Sequence, residues 1–380
     1  MAMTRRERLL NTFRGKPVDR PPVSFYEVDY YLGAENDPDP YNILNDPSWK
    51  PLLDLVREKV DRLVNHTPPL VPDTSEELDR LTTSETREEG GVRITRGVIR
   101  TPAGRDLAYE HRREREVNTV WATSHPVKSP EDLEAWLSLP EDPVAGVVDV
   151  SAFLAAEREL ADDGLMLLDT GDPLCLVAEL MSMEDYTVIA LTEQALFHRA
   201  LERASRLLLK RMEKIAAALP GRPWRICGPE YALPPYLPPA LFREYVARYD
   251  RRLVELIHRH GGWARMHAHG RVSTALAAMV ELGCDATDPL EPPPQGDVRL
   301  LDVRREYGGE MALFGNLESS DLENLPTPAF RGRIQTALAE GAAGGGRGFV
   351  LMPSACPYGR KLSALALANY EAMIEEIERL

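Results

Sequence analysis

The stretch Trp263-Ala264-Arg265-Met266-His267-Ala268-His269-Gly270-Arg271 decides how the rest of the chain is read. A helical segment, Pro239 to Arg259, leads into it and stops at Gly261-Gly262, a natural C-cap and breaker. A second helix rich in Ala and Leu, Val272 to Leu282, follows it. A short apolar run held between two helices reads as a buried parallel strand. His267 and His269 then stand at its C-terminal end, where α/β folds build their sites. Residues two apart on an extended chain point to the same side, so both imidazoles face one point. A metal ion is the simplest occupant of that point. The same residues also read as one core histidine and one loop histidine, and the stretch alone leaves both readings open.

Working outward, the same alternation of apolar run and amphipathic helix recurs. Gly164 to Asp169 is a buried strand that ends in Thr170-Gly171-Asp172-Pro173, with Pro suited to a first helical turn. Glu193 to Leu219 is a long amphipathic helix, and Pro223 to Cys227 a strand that exits through Gly228-Pro229-Glu230-Tyr231. Beyond the histidines come Cys284 to Thr287 and the rigid acidic loop Asp288 to Pro294. Helix Asp297 to Tyr307, strand Met311 to Phe314, helix Pro328 to Glu340, strand Gly348 to Met352 and helix Leu362 to Leu380 complete the run.

Toward the N-terminus, Thr4-Arg5-Arg6-Glu7 matches a capping box and opens a helix that Gly15 ends. Pro21-Pro22 leads into Val23 to Tyr26, a first strand, followed by Glu27, Asp29, Tyr30 and Tyr31. Asp46-Pro47 to Val60 reads as a helix and Asp61 to His66 as a second strand. From about Thr82 to Ala122, apolar and polar residues alternate around the turn Thr101-Pro102-Ala103-Gly104, the mark of a half-exposed antiparallel hairpin insertion. Its charge run, Glu110 to Glu116, reads as a solvated face. Pro130 to Leu137 and Val147 to Leu160 are helices.

Eight strands near residues 23, 61, 165, 223, 263, 284, 311 and 348, with helices between most of them, predict a single (β/α)8 TIM barrel. The competing architecture is a doubly wound open sheet, but a Gly-rich fingerprint after a first strand is missing. The glycine cluster Gly341 to Gly348 precedes a strand and so reads as a loop.

Composition excludes several classes. With 380 residues and 43% hydrophobic content, the chain can bury a large core. A net charge of −15, with 60 acidic against 45 basic residues, argues against nucleic acid and anionic membranes. No apolar run approaches the roughly 18 residues of a membrane span, and the charged N-terminus lacks a signal-peptide core. The four cysteines, Cys175, Cys227, Cys284 and Cys356, are widely spaced, as reduced thiols of a cytoplasmic protein would be. Cys227 and Cys284 fall within strands and read as core.

On the barrel reading, the strand exits gather Glu27, Asp29, His66, Asp169, Glu230, Tyr231, His267, His269, Asp288, Glu291, Asn316 and Cys356 on one rim. Two imidazoles and a thiolate suit zinc, which accepts N and S ligands and keeps a fourth position open for catalysis. Glu230 is a candidate for that position, as labile ligand or general base.

In its order of elements and its motifs the chain resembles the uroporphyrinogen decarboxylase superfamily. The motifs are Thr4 to Leu10, Pro17-Val18-Asp19-Arg20-Pro21-Pro22, the His-x-x-Gly turn at His267, Gly315-Asn316-Leu317, and Phe349 to Ser354 followed by Asn369-Tyr370. The resemblance implies one domain over residues 1–380, with 82–122 as its insertion, often dimeric. It also implies two chemistries. Decarboxylases of that superfamily need no cofactor and place arginines after the first strand, where this chain reads Phe25-Tyr26-Glu27-Val28-Asp29-Tyr30-Tyr31, without arginine. Cobamide methyltransferases bind zinc through His-x-Cys and a later Cys. This chain matches at His267 and Cys356, with His269 in place of the middle cysteine.

The expected enzyme is therefore a zinc-dependent methyl- or small-group transferase, with His267, His269 and Cys356 as metal ligands. Glu230, Asp169 and Tyr231 are its expected catalytic residues; Glu27, His66, Asp288 and Asn316 its expected substrate contacts. The partner expected is a small-molecule substrate, with a corrinoid supplied by a separate protein or as a free cofactor. A decarboxylase acting on another carboxylate and a non-catalytic binding barrel are the alternatives.

Overall fold

The computed structural model describes residues 3–28 and 36–380. In chain order its strands begin with β1 (Arg62–Asn65), β2 (Leu70–Val71), β3 (Thr82–Glu89), β4 (Val92–Arg100), β5 (Asp106–Glu114) and β6 (Val120–Ser124). They continue with β7 (Val147–Val148), β8 (Gly164–Gly171), β9 (Pro223–Cys227) and β10 (Trp263–His267). The last three are β11 (Ala286–Asp288), β12 (Ala312–Leu317) and β13 (Phe349–Pro353).

Seven of them form one parallel sheet in the order β1-β8-β9-β10-β11-β12-β13. The strands are buried on both faces because helices cover the outside. Met166, Leu168, Trp224, Ile226, Ala264, Met266, Leu313 and Leu351 join the outer core with those helices. Their neighbours in sequence, Leu63, Leu165, Leu167, Ala286, Ala312, Phe314, Val350 and Met352, make a separate inner core. Helix Arg5–Phe13 adds Leu9 and Phe13 to that inner core, with the Phe13 ring 5.5 Å from Phe314. The expected capping box is present at Thr4 and Glu7.

The eighth strand, expected near residue 23, is reduced to a single parallel bridge between Val23 and Leu351. Pro21 and Pro22 have no N–H for a ladder, and the Val23 N–H goes to the Asp61 side chain at 2.9 Å. The Val23 carbonyl accepts from Asp61 N at 2.9 Å while Ser24 N donates to Leu351 O at 3.0 Å. One short segment thus touches both edges, β1 and β13, so the sheet is curled.

The segments that look motif-like near the N-terminus are structural. The Arg8 guanidinium donates to Asp19 at 2.7 Å and to Asp61 at 2.5 Å, and Arg20 donates to Asp61 at 2.7 Å. Asp61 is fully buried.

The expected hairpin is a four-stranded antiparallel sheet, β3-β4-β5-β6. Solvent-facing β3 has no buried residue, so no hydrophobic alternation marks it as a strand. Arg93 fastens this sheet to the body through Asp39, at 2.8 Å, and lies over the Tyr41 ring at 4.2 Å. Other boundaries shift. The helix expected from Val147 starts at Ser151, because residues 147–148 pair with β2. The helix expected from Asp297 starts at Leu300, and the strand expected at Cys284 starts at Ala286. Among the described residues no helix is long and apolar enough to cross a membrane.

Candidate active site

Period-2 alternation along each strand carries polar side chains into the inner face as well as apolar ones. On β10 the inward positions are Trp263, Arg265 and His267; on β9 Arg225 is in register with Arg265, and on β8 Asp169 with Arg225. On β11, Asp288 is the register partner of His267. Above the inner apolar layer, therefore, the sheet presents a layer of charge.

Within it the side chains form one connected line. Arg225 grips Asp169 in a two-pronged pair at 2.8 and 2.7 Å and donates its third nitrogen to the Tyr26 hydroxyl. Asn65 from β1 also donates to Asp169, at 3.1 Å. The Tyr26 hydroxyl lies 3.4 Å from His267 Nε2, and His267 Nδ1 lies 2.7 Å from Asp288 Oδ2. Burial works against the Asp288 carboxylate, but Arg265 and His267 outweigh it and hold its pKa at about 2. A carboxylate only accepts, so His267 Nδ1 carries a proton toward Asp288 and Nε2 faces the Tyr26 hydroxyl. Tyr26, Arg225, Arg265, His267 and Asp288 are all buried.

A second pair stands beside the first. His269 Nδ1 lies 3.0 Å from Glu291, which also accepts from Gly270 N at 2.6 Å. Burial lowers the His269 pKa, yet the hydrogen bond and charge of Glu291 raise it on balance to about 9. The His267 and His269 rings are perpendicular, with centroids 4.7 Å apart. Glu318, on the exit of β12, is pushed up to about 7 by burial and then by Glu291.

The other expected residues divide. Glu230 folds back on its own turn, accepting from Gly228 N at 3.2 Å, and its charge reaches His269. Glu27 stands on the far side, where its carboxylate accepts from Cys356 N at 3.2 Å. Asn316 lies with Glu318 in a separate cavity of about 290 Å³ against Pro292 to Pro294. Gly315 before it lets β12 pass the Pro289 carbonyl, which a Cβ would meet at 2.1 Å. Tyr231 faces another cavity, beneath the antiparallel sheet. His66 turns outward to Phe153, ring centroids 6.5 Å apart, and stays outside the charged layer. Cys227, expected in the core, is half-buried and donates to the Thr170 carbonyl at 3.4 Å, its thiol pushed up to about 12 by burial. Cys284 is core, as expected. Asp29, Tyr30 and Tyr31 lie outside the described residues.

The zinc triad is not assembled. Among the described residues no three His, Cys, Asp or Glu side chains group to hold a metal ion. Cys356 keeps company with Glu27, and burial followed by that charge pushes its thiol well up, away from the thiolate that zinc takes. What sequence reasoning missed is the pair of arginines. Arg225 and Arg265 occupy the same alternate positions as His267 on otherwise apolar strands, and that parity was the available signal.

Residues 118–379, well over half of the chain, match the family described as Uroporphyrinogen decarboxylase (URO-D). The chain belongs to the uroporphyrinogen decarboxylase family. The family match takes in β8 to β13 and therefore Asp169, Arg225, His267 and Asp288, whereas Tyr26 lies before it. Among solved structures, the chain shares the fold of a methyltransferase from Methanosarcina mazei, with 17% identity, a TM-score of 0.62 and 99% of each chain covered. A D-psicose 3-epimerase structure overlaps over 60% of this chain and 80% of its own, at 10% identity and a TM-score of 0.31, too low to carry an argument. No curated protein matches the sequence.

Proposed function

We propose that the chain is an enzyme that transfers a methyl or other small group on a small organic substrate, with the proton of that reaction handled by Tyr26, His267 and Asp288. The observation that carries this reading is the unbroken line Arg225–Tyr26–His267–Asp288 at the strand ends. His267 Nε2 takes the proton of the acceptor, directly or through Tyr26. The acceptor's electron pair forms the new bond to carbon, and the old bond's pair leaves with the donor. Asp288 fixes the imidazole tautomer and stabilises the imidazolium that forms. Asp169 holds Arg225 in place beneath Tyr26. Glu230, whose charge reaches His269, borders the site on this reading.

The name of the Methanosarcina mazei neighbour, a methyltransferase, supports methyl transfer. A corrinoid serving as donor or acceptor would then come from a separate protein or as a free cofactor. On this reading residues 1–380 are one cytoplasmic, dimeric barrel domain, with Val23 to Phe25 as its eighth stave and 82–122 inserted. The test supplies methylcobalamin with small thiols and follows the corrinoid spectrum, and in parallel follows CO2 release from a panel of carboxylates. Methyl transfer lost in His267→Asn supports the reading. CO2 release without methyl transfer replaces it with decarboxylation, in which the same line protonates the carbanion. Transfer undiminished in His267→Asn overturns it.

A second reading keeps zinc, because both imidazoles have Nδ1 on a carboxylate, the arrangement that orients zinc-bound histidines. It requires Cys356 to leave Glu27. Zinc that falls away in both His267→Ala and Cys356→Ser supports it; an active wild type purified free of metal ends it.

A further inference from the structure

Beneath the antiparallel sheet lies a cavity of about 740 Å³, within the roughly 300–1,000 Å³ of small-molecule sites. One wall is the inner face of β4 to β6; the other is the segment Leu176 to Met183; Tyr231 closes the inner end. We propose that this cavity binds an uncharged aromatic ring.

The sheet wall is built for a flat ligand. A Cβ at Gly97 would sit 2.1 Å from the Tyr109 ring, so only glycine lets that ring lie flat across β4. The His111 ring is tilted beside it, with centroids 5.4 Å apart. Tyr109 and His111 together make a floor for offset stacking. Opposite stand Met181 and Met183, whose sulfurs favour aromatic neighbours. Met183 is 39% exposed, so an apolar side chain waits at the mouth.

Charge sets the ligand's class. No arginine or lysine is among the described residues lining the cavity, and the carboxylate there is Glu179, which accepts from the Cys175 thiol at 3.4 Å. An anionic ring would meet the Glu179 carboxylate with no arginine or lysine beside it, a cost that a neutral ring escapes. His125 and Ser124 supply hydrogen-bonding groups for a ring substituent, whereas the Ser182 hydroxyl is taken up capping its helix through Asp185.

Use of this ring as the non-reacting body of the substrate rests on the proposed function; its binding does not. The test is therefore made without turnover. Phenol and benzoate are titrated against the full-length protein by calorimetry and ligand-observed NMR. Wild type is compared with Ala122→Trp, which fills the cavity from the sheet side, and with Tyr109→Leu, which removes the floor. Circular dichroism and melting confirm that each variant folds. Phenol should bind about tenfold or more tightly than benzoate, and either variant should weaken phenol by a similar factor. Benzoate binding as well as phenol, or phenol binding unchanged in both folded variants, overturns the inference. A His267→Asn protein that binds phenol normally but does no chemistry separates this outcome from that of the proposed function.

Discussion

His267 and Asp288 are register partners on adjacent strands, and Nδ1 of the imidazole lies 2.7 Å from Oδ2 of the carboxylate. Pairing across a parallel ladder fixes both backbones, so the side chains meet without a loop having to close. Asp288→Asn keeps the size but replaces an acceptor with a group that can also donate, which releases the tautomer. We expect kcat to fall about 10²- to 10⁴-fold with a small change in KM. Steady-state kinetics decide it, and an unchanged kcat would take Asp288 out of the reaction.

Tyr26→Phe removes the hydroxyl that joins Arg225 to His267. The expected loss in kcat is about 10²-fold, with the pH–rate profile altered because His267 loses its neighbour. A variant whose profile superimposes on wild type would show that Tyr26 is packing alone.

Arg8→Ala tests the N-terminal seal of the sheet. It leaves Asp61 buried with Arg20 still beside it, and removing one side of a buried pair costs about 3–5 kcal/mol. Asp19 adds a pH dependence. The hydrogen bond from Arg8 holds its carboxyl below the usual range, so its contribution is present above the unfolded pKa and lost as pH falls through the folded one. Urea denaturation should show the full gap from wild type near neutrality and a smaller one in strong acid.

His258→Gln should show the opposite slope. His258 sits in the last turn of helix Arg248–Arg259, and its hydrogen bond to Asp285, at 2.8 Å, raises its pKa despite burial. The stabilisation is complete below the unfolded value of about 6.5 and is lost as pH rises through the higher folded one. Wild type should exceed the variant in stability near pH 5.5 and approach it near pH 9, about the range where imidazoles are charged and neutral. A constant gap would mean that the pair acts as a neutral hydrogen bond.

Uroporphyrinogen III should not be turned over. Arg225 is committed to Asp169 and Tyr26, and Arg265 lies 3.1 Å from Asp288, so the arginines at the strand ends already face carboxylates. A polycarboxylate needs cations that are not so matched. Decarboxylation of this tetrapyrrole at an enzymatic rate would refute the assignment of those pairs.

The sequence by itself determined the parallel sheet, the strand that carries His267, and the family. Apolar runs between amphipathic helices are a local signal, and each strand's position follows from it within a few residues, as at Pro223–Cys227 and Trp263–His267. The capping box at Thr4 and the helix Pro130–Leu137 were legible for the same reason. Strand β3 was not, because a strand exposed along its whole length carries no burial pattern.

Only the tertiary structure decided which side chains meet. Alternation tells which residues share a face, but the partner across a ladder depends on register, and register is set by the packing of the whole sheet. That is why His267 finds Asp288 and Tyr26, residues 21 and 241 positions away, while Cys356 turns to Glu27. Arg225 and Arg265 read as interruptions of apolar strands until the curl of the sheet brings Asp169 and Asp288 beside them, because a buried charge is stable only with its partner in place.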